Sequence, residues 1–573
     1  MWNFVGRQNQ IYSPTPGNVF HGNWESGIKF IDNFRLGDQS DAPAVLAQDK
    51  GKNHYFFLPL LLGLLGLFFQ YDRDKRGTWL NFLMFFMTGI AIVLYLNQPP
   101  YQVRERDYAY AGSFYFFSVW IGLGVAFLFS LIDRLTKGRA QVLTACATSL
   151  LCLGVPTLMG AQNWDDHDRS NRTTAVEMAY NYLESVGRNG ILITHGDNDT
   201  FPTWYAQEVE NVRPDVRIAN TSLLGTDWHI DQMKYAVNES APLPLSVPYK
   251  QYLYGTNEYI PIVDSRDEAM NIHDVMQVFR HPKAKVSMSS GKKVDYIPSR
   301  KIVIPVNKAN VLKSGIVDEK YADKIQDSII LTIPKGKDYL TKPELFLLDF
   351  LDGYDWSRPL NMLNMGGEIN IGQKDYLTYN GYSFEFIPFK NKPSTLKPGW
   401  VDSDDLYYKM TSVYKFDAVS RDDYFIDYQP YYTHLGVMSI RQLFVTCAKV
   451  FLEEKQNERA LEMLNKMAQV MTVYPLDAIP IGFQNNNYMV VEAINLYFEL
   501  GEHDKAIALA DKLSAELVHG ANFYLKFGSL AQSECEDYAQ YIFLLADRLN
   551  QHGEKEMSSS LENKLKELID IHS

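Results

Sequence analysis

Apolar residues are distributed very unevenly along the chain. Between Tyr55 and Gly160 four runs are long and apolar enough to predict bilayer-spanning helices: Tyr55–Tyr71 (YFFLPLLLGLLGLFFQY), Trp79–Leu96, Ala109–Ile132 and Ala140–Gly160, the last two without a charge. Aromatic residues at their ends, among them Tyr55, Tyr71, Trp79 and Tyr95, suit the interfacial belts of a membrane protein. The loops after the first and third runs carry Arg73, Lys75, Arg76 and Arg134, Lys137, Arg139, denser in positive charge than the loop holding Arg104 and Arg106. The positive-inside rule then places both basic loops in the cytoplasm and residues 1–54, the Arg104 loop and everything after Gly160 on the outer side. Residues 1–54 have no basic n-region or apolar h-region, so they read as an extracytoplasmic loop segment without a signal peptide. The expectation is a chain that forms the back portion of a longer protein, whose upstream helices export that loop.

Beyond Gly160 the periodicity changes. Ala175–Val186 has helical apolar spacing, ILIT is a short buried strand, and HGDNDTFPTWYAQEVE opens a helix with Thr200 as N-cap, Pro202 in its first turn and an end near Glu210. Val216–Asn220 reads as a second strand and Trp228–Val237 as another helix. This βαβ order predicts a parallel, Rossmann-like α/β domain over 161–260, with His195, Asp197 and Asp199 beyond the strand ends, where such sheets gather ligands. Residues 261–435 alternate β-type runs (KIVIPV, SIILTIP, FEFIPF) with polar turns and one helix, Lys342–Leu351, a mixed α/β region. From 436 to 573 the spacing is helical throughout. FLEEKQNERALEMLNKM and YFELGEHDKAIALADKL align Leu452 with Phe498, Ala460 with Ala506 and Lys466 with Lys512, at an offset of 46 residues, and LNQHGEKEMSSSLENKL resembles a third, degraded copy. A tetratricopeptide-like repeat domain, a docking surface for a protein partner, is the expectation. The fold class is therefore mixed membrane and soluble: four transmembrane helices over 55–160, an α/β region and a helical-repeat tail.

Composition adds exclusions. The chain has 573 residues, 55 Lys and Arg against 68 Asp and Glu, and a net charge of -13. An acidic chain without a basic block lacks the clustered cations that nucleic acid requires. The four Cys show no metal spacing; Cys146 and Cys152 sit in an apolar run, and nothing in the spacing supports a Cys447–Cys535 disulfide. Asp197 and Asp199 resemble the Asp-x-Asp pair by which sugar-nucleotide transferases hold a metal, and Asp165, Asp166, His167, Asp168 and His195 could add ligands for a divalent cation. The competing reading is that these carboxylates cap helices and turns. Arg104, Glu105, Arg106 and Asp107 could pair among themselves, or the arginines could hold a lipid-linked phosphate at the membrane face.

The motifs YLNQPPYQVRERDYAYAGSF, NWDDHDRSNR and NGILITHGDNDTFPTWYAQEVENVRPDVRIANTSLL together resemble the bacterial multi-pass protein O-mannosyltransferase-like family, over about Met1 to Phe389 and more loosely through the tail. The resemblance implies GT-C architecture, relationship to an animal endoplasmic-reticulum enzyme, and transfer of a mannose-like sugar from a polyprenyl-phosphate donor to protein hydroxyls on the outer face of the membrane. It implies a bacterial inner-membrane location with a periplasmic C-terminal region, and a donor-phosphate role for Arg104, Glu105, Arg106 and Asp107. The essential acidic residue such enzymes carry in their first outer loop has no counterpart here, so no catalytic residue is carried over. A rival expectation is a non-catalytic, membrane-anchored envelope scaffold presenting the repeat domain; a nucleotide-sugar enzyme built on Asp197 and Asp199 is a third.

Overall fold

The computed structural model describes residues 1–10, 17–98, 106–264, 267–289, 291–365, 369–393, 398–424, 439–472, 476 and 485–572. They fall into two compact units. One contains Met1–Arg172, Asp422–Gln442 and Met471–Ser573; the other contains Thr173–Arg421 and Leu443–Val470.

In the first unit the apolar runs form helices α1 (Leu58–Arg73), α2 (Lys75–Thr88, continued after Gly89 by Ile90–Leu96), α3 (Ala111–Leu135) and α4 (Gln141–His167). Among the described residues, three helices are long and apolar enough to cross a membrane: Lys75–Leu96, Asp107–Leu135 and Gln141–His167. α1 has 16 residues, about 24 Å at 1.5 Å per residue, shorter than a hydrocarbon core of about 30 Å.

Lipid provides no hydrophobic drive between helices, so close contact depends on small residues. α1 and α3 meet at such a seam. A Cβ on Gly66 would lie 1.7 Å from the Trp120 carbonyl oxygen, and one on Gly124 would lie 2.1 Å from that of Leu62. Two polar contacts link the helices: Trp120 donates to Gln70 at 2.8 Å, and Asn81 donates to the Phe116 carbonyl at 3.2 Å.

The N-terminal residues form an ordered segment tied at both ends. Gly6–Arg7 pairs antiparallel with Asn53–His54. The His54 amide donates to Gln162 of α4 at 2.6 Å, and Asn53 donates to Asn163 at 3.2 Å. Phe20 is fully buried, with the rings of Tyr524 and Phe527 at 5.0 and 4.8 Å between centroids. Asp41 accepts from His519 and Lys526 at 3.0 and 3.1 Å.

The tail is built from helix pairs: Ser439–Glu453 with Asn457–Val470, Asn485–Glu499 with His503–Leu525, and Gln532–Gln551 with Lys555–His572. Each pair turns through a left-handed residue, Lys455, Gly501 or Gly553. The following amide closes the same hydrogen bond each time: Gln456 to Phe451, Glu502 to Tyr497 and Glu554 to Leu549, at 2.8, 2.9 and 2.9 Å. The recurring turn gives the aligned motifs a common local structure, and Ala460 and Ala506 are both fully buried after it.

The second unit begins with α5 (Thr174–Glu184). It is organised by a five-stranded sheet of β1 (Ile191–Thr194), β2 (Arg217–Asn220), β3 (Leu360–Met362), β4 (Leu377–Tyr379) and β5 (Phe384–Phe386), in the order β4-β5-β3-β1-β2. β3, β1 and β2 are parallel, with Ile191 opposite both Leu360 and Arg217, and β4 and β5 extend the sheet as an antiparallel hairpin. The helix α6 (Asp197–Glu208) connects β1 to β2. A second sheet pairs Lys301–Pro305 antiparallel with Ser328–Thr332 and parallel with Ala269–Asn271. One core joins both sheets, with Trp356 stacked on Phe386 at 5.3 Å. The Lys342–Asp352 helix is buried along nearly its whole length and starts with a capping box between Thr341 and Glu344.

Two helix boundaries differ from the sequence pattern. α6 starts at Asp197 with Gly196 as N-cap, placing Thr200 inside the helix. The helix expected over Trp228–Val237 spans only Asp227–Gln232, because Val237 turns back to pair with Ser240.

Gly66→Leu or Gly124→Leu is expected to destabilise the helix seam by about 1–3 kcal/mol through overpacking. Gly122→Ala, where a Cβ meets nothing within 4 Å, is expected to be silent; thermal unfolding in detergent checks the contrast. In the second unit, burial is the largest influence on Glu385 and pushes its carboxyl up to about 8, with Lys409 pulling the other way. The folded state therefore holds a proton that the unfolded chain releases above the ordinary Glu range, so stability falls as pH rises towards 8. Glu385→Gln is expected to flatten that fall in denaturant titrations between pH 5 and about 9.

Candidate functional site

The turn after β1 is built by carboxylate capping. Asp199 accepts the main-chain amides of His195 at 2.8 Å and Gly196 at 3.0 Å, one on each carboxylate oxygen. A negative charge here also offsets the positive end of α6. Asp197 is exposed in the same first turn. The two carboxylates thus differ in role despite their common motif.

A residue the sequence pattern did not single out ties this turn to the next strand. Asn220, fully buried at the end of β2, donates to the Gly196 carbonyl at 3.1 Å and to Thr200 Oγ1 at 2.7 Å, and accepts from the Leu223 amide at 2.9 Å. Thr200 and Thr194 hydroxyls meet at 2.6 Å. The His195 carbonyl accepts from Ser222 Oγ at 2.7 Å, and its Nδ1 lies 3.3 Å from Thr221 Oγ1. His229 Nε2 faces the Asn220 amide at 3.4 Å. Burial, the main cause, pulls His229 down to about 4, so it is neutral at ordinary pH. The one available signal was a polar Asn ending an otherwise buried strand, VRIAN.

Asp165, Asp166, His167 and Asp168 belong to the other compact unit. Asp165 is exposed; Asp166 is buried and lies 2.7 Å from His167 Nδ1, which also faces the Asn163 carbonyl at 2.9 Å. Arg172 donates to the Asp166 carbonyl at 2.9 Å. Asp168 accepts the Ser170 amide at 2.9 Å, and hydrogen bonds from Ser170 hold its carboxyl below the ordinary range. Among the described residues, no group of three or more His, Cys, Asp or Glu is placed to hold a metal ion. The expected ligands are placed as a helix cap (Asp199), an Asp–His pair (Asp166 and His167), a turn cap (Asp168), two further exposed carboxylates (Asp165 and Asp197) and His195, which lies against Thr221 and Ser222.

Beside the Asp–His pair, a cavity of about 380 Å³ opens at the C-terminal end of α4, lined by Asn3, Tyr55, Gly160, Asn163, Trp164 and His167 among others. Asn163 holds the Tyr55 hydroxyl and the Met159 carbonyl.

Of the charged membrane-face loop, Arg104 and Glu105 lie outside the described residues. Arg106 is exposed, and its carbonyl accepts the Ala109 amide at 3.0 Å. Asp107 opens the one-turn helix Asp107–Tyr110 that runs into α3. Cys447 is buried and Cys535 partly so, both as free thiols.

Asp199→Ala is expected to cost about 1–2 kcal/mol, through loss of two charge-assisted hydrogen bonds at a helix start. Asp197→Ala is expected to leave the melting temperature unchanged. Thermal unfolding of the two variants, followed by circular dichroism, separates the roles.

The family model for TMEM260-associated domain 2 matches residues 175–405, a span that falls inside the second unit's Thr173–Arg421 segment. A curated relative, Protein O-mannosyl-transferase tmem260 of Dictyostelium discoideum, is 25% identical over 187 residues, covering 29% of this chain and 22% of the relative's length. No solved structure matches the chain. The two matches relate this membrane protein to O-mannosyltransferase-like sequences.

Proposed function

We propose that the chain forms part of an integral-membrane glycosyltransferase of GT-C type. It transfers a mannose-like sugar from a polyprenyl-phosphate donor to protein hydroxyls on the outer face of a bacterial inner membrane. The observation that carries this reading is the 25% identity to a relative named as an O-mannosyl-transferase, in a chain whose helices suit a bilayer. In this reading α1 spans with the other three helices, and the second unit and the helical pairs lie in the periplasm. The pairs act as tetratricopeptide-like docking elements for a protein partner. The second unit, with its Rossmann-like βαβ element, then stands close to acceptor proteins.

The chemistry is a direct displacement at the anomeric carbon, with a carboxylate as base on the acceptor hydroxyl. Arg104 and Arg106 offset charge on the leaving lipid phosphate, within a donor-phosphate motif that also contains Glu105 and Asp107. A divalent cation held by Asp197 has less support, because both oxygens of its partner Asp199 already accept main-chain amides.

Transfer of labelled mannose from polyprenyl-phosphate mannose to an acceptor protein, in membranes carrying the full-length protein, tests the reading. Arg104→Ala together with Arg106→Ala is expected to lower kcat/KM at least tenfold, corresponding to about 1.4 kcal/mol or more of transition-state stabilisation. Unchanged transfer and donor affinity in the double variant would remove the phosphate role. Absence of transfer by the unaltered protein would favour the anchored-scaffold reading.

A further inference from the structure

Two phenylalanines stand almost wholly in the open on a short helix outside the apolar bundle. In the helix Lys29–Leu36, Phe30 is 83% exposed and Phe34 88% exposed. They lie four residues apart, so their rings share one helix face. Asp32 and Leu36, by contrast, are buried. Neighbouring exposed rings of this size mark a surface that a partner covers.

The helix is held at both ends. Asp32 accepts from the Ser26 amide and the Ser26 hydroxyl, each at 2.9 Å, and from the Gly27 amide at 2.8 Å. Arg35 lies over the Trp24 ring, 3.7 Å from its centroid, and donates to the Trp24 carbonyl. Just past the helix, a Cβ on Gly37 would lie 2.5 Å from the Phe527 ring of the tail. The exposed Phe face therefore belongs to a fixed element.

The same contacts place the helix beside the ends of the apolar helices. The Phe56 amide, two residues before α1 begins, donates to the Ser26 carbonyl at 3.0 Å. Gly27 has a φ of +83°, and a Cβ there would lie 2.8 Å from the Phe56 ring. The rings of Trp24 and Phe57 meet edge to face at 5.6 Å. Asn53 and His54, next in the chain, bond to Gln162 and Asn163 near the C-terminal end of α4, one of the membrane-length helices. Eight residues at 1.5 Å each make the Phe-bearing helix about 12 Å long. An amphipathic helix at a bilayer surface sinks its apolar face about 5–10 Å into the headgroup boundary, a depth that suits Phe30 and Phe34. Trp24 matches the aromatic belt found at that level. Lys29, exposed beside Phe30, supplies a cation for lipid phosphates.

We propose that the helix Lys29–Leu36 lies in the lipid headgroup layer beside the start of α1, with Phe30 and Phe34 inserted towards the acyl chains. A lipid surface is the occupant because the helix is bonded to the residues that lead into α1 and, through Asn53 and His54, stands at the end of α4. The inference does not depend on sugar transfer.

The experiment uses the full chain in liposomes of phosphatidylethanolamine and phosphatidylglycerol, doped with a phosphatidylcholine that carries a diazirine near its glycerol. After irradiation and trypsin digestion, lipid adducts are mapped by mass spectrometry. The peptide Phe30–Arg35 is expected to carry about tenfold more adduct than Glu556–Lys564 of the last tail helix. Phe30→Ser together with Phe34→Ser is expected to remove that excess at an unchanged melting temperature, while adducts on the α2 segment Trp79–Tyr95 persist. Both positions are exposed, so the double variant loses no internal packing. Adduct on Phe30–Arg35 no higher than on the tail peptide overturns the proposal. So does an excess that survives the double variant, because the rings then do not seat the helix. A photoreactive benzoylphenylalanine in place of Phe34 names the occupant directly: a lipid adduct supports the proposal, and a link to a second copy of the chain overturns it.

Discussion

The first unit depends on backbone-to-backbone contact between α1 and α3. At Gly66 and Gly124 the main chains approach until no side chain fits between them. In a bilayer, where burying apolar surface gains nothing over lipid, this close packing is what holds helices together. Polar side chains there must also find partners, and Gln70 with Trp120 supplies one such pair. From this seam the chain extends to the N-terminal segment, whose Asn53 and His54 bond to α4 and whose Phe20 is enclosed by the tail helix His503–Leu525. The segment thus ties the apolar helices and the last helix pairs into one unit.

In the second unit the recurring device is a carboxylate satisfying main-chain amides. Asp199 does so at the start of α6, and Glu344 at the start of the Lys342–Asp352 helix. Asp349 accepts from Ser246 and Val247. Amides at a helix start have no intrahelical acceptor, so a short acidic side chain nearby is drawn to them before it can serve a ligand. That competition explains how a motif shaped like a metal-binding pair resolves into one capping residue and one exposed carboxylate. Asp168 likewise accepts the Ser170 amide, whereas Asp166 lies against the His167 ring.

The sequence by itself determined the elements whose causes are local. The long uncharged runs became helices because a contiguous apolar stretch needs no distant partner to declare itself. ILIT and VRIAN became adjacent parallel strands, since a helix of that length between them returns the chain to the same sheet edge. The repeated tail motifs share a turn because Gly501 and Gly553, like Lys455, adopt the left-handed conformation that ends a helix.

Tertiary structure alone decided the rest, wherever partners lie far apart in sequence. β3, more than 130 residues beyond β2, takes its place beside β1, and nothing local to Leu360–Met362 specifies that pairing. Asn220 became the link between two strand ends because the fold brings Gly196 and Thr200 within reach of its amide. Which carboxylate caps and which stays exposed, where Val237 abandons its helix, and the meeting of Tyr55, Trp164 and His167 around one cavity all depend on atoms that only folding makes neighbours. Local patterning fixes dihedral preferences over a few residues, whereas a site is a set of distances between residues that the sequence keeps apart.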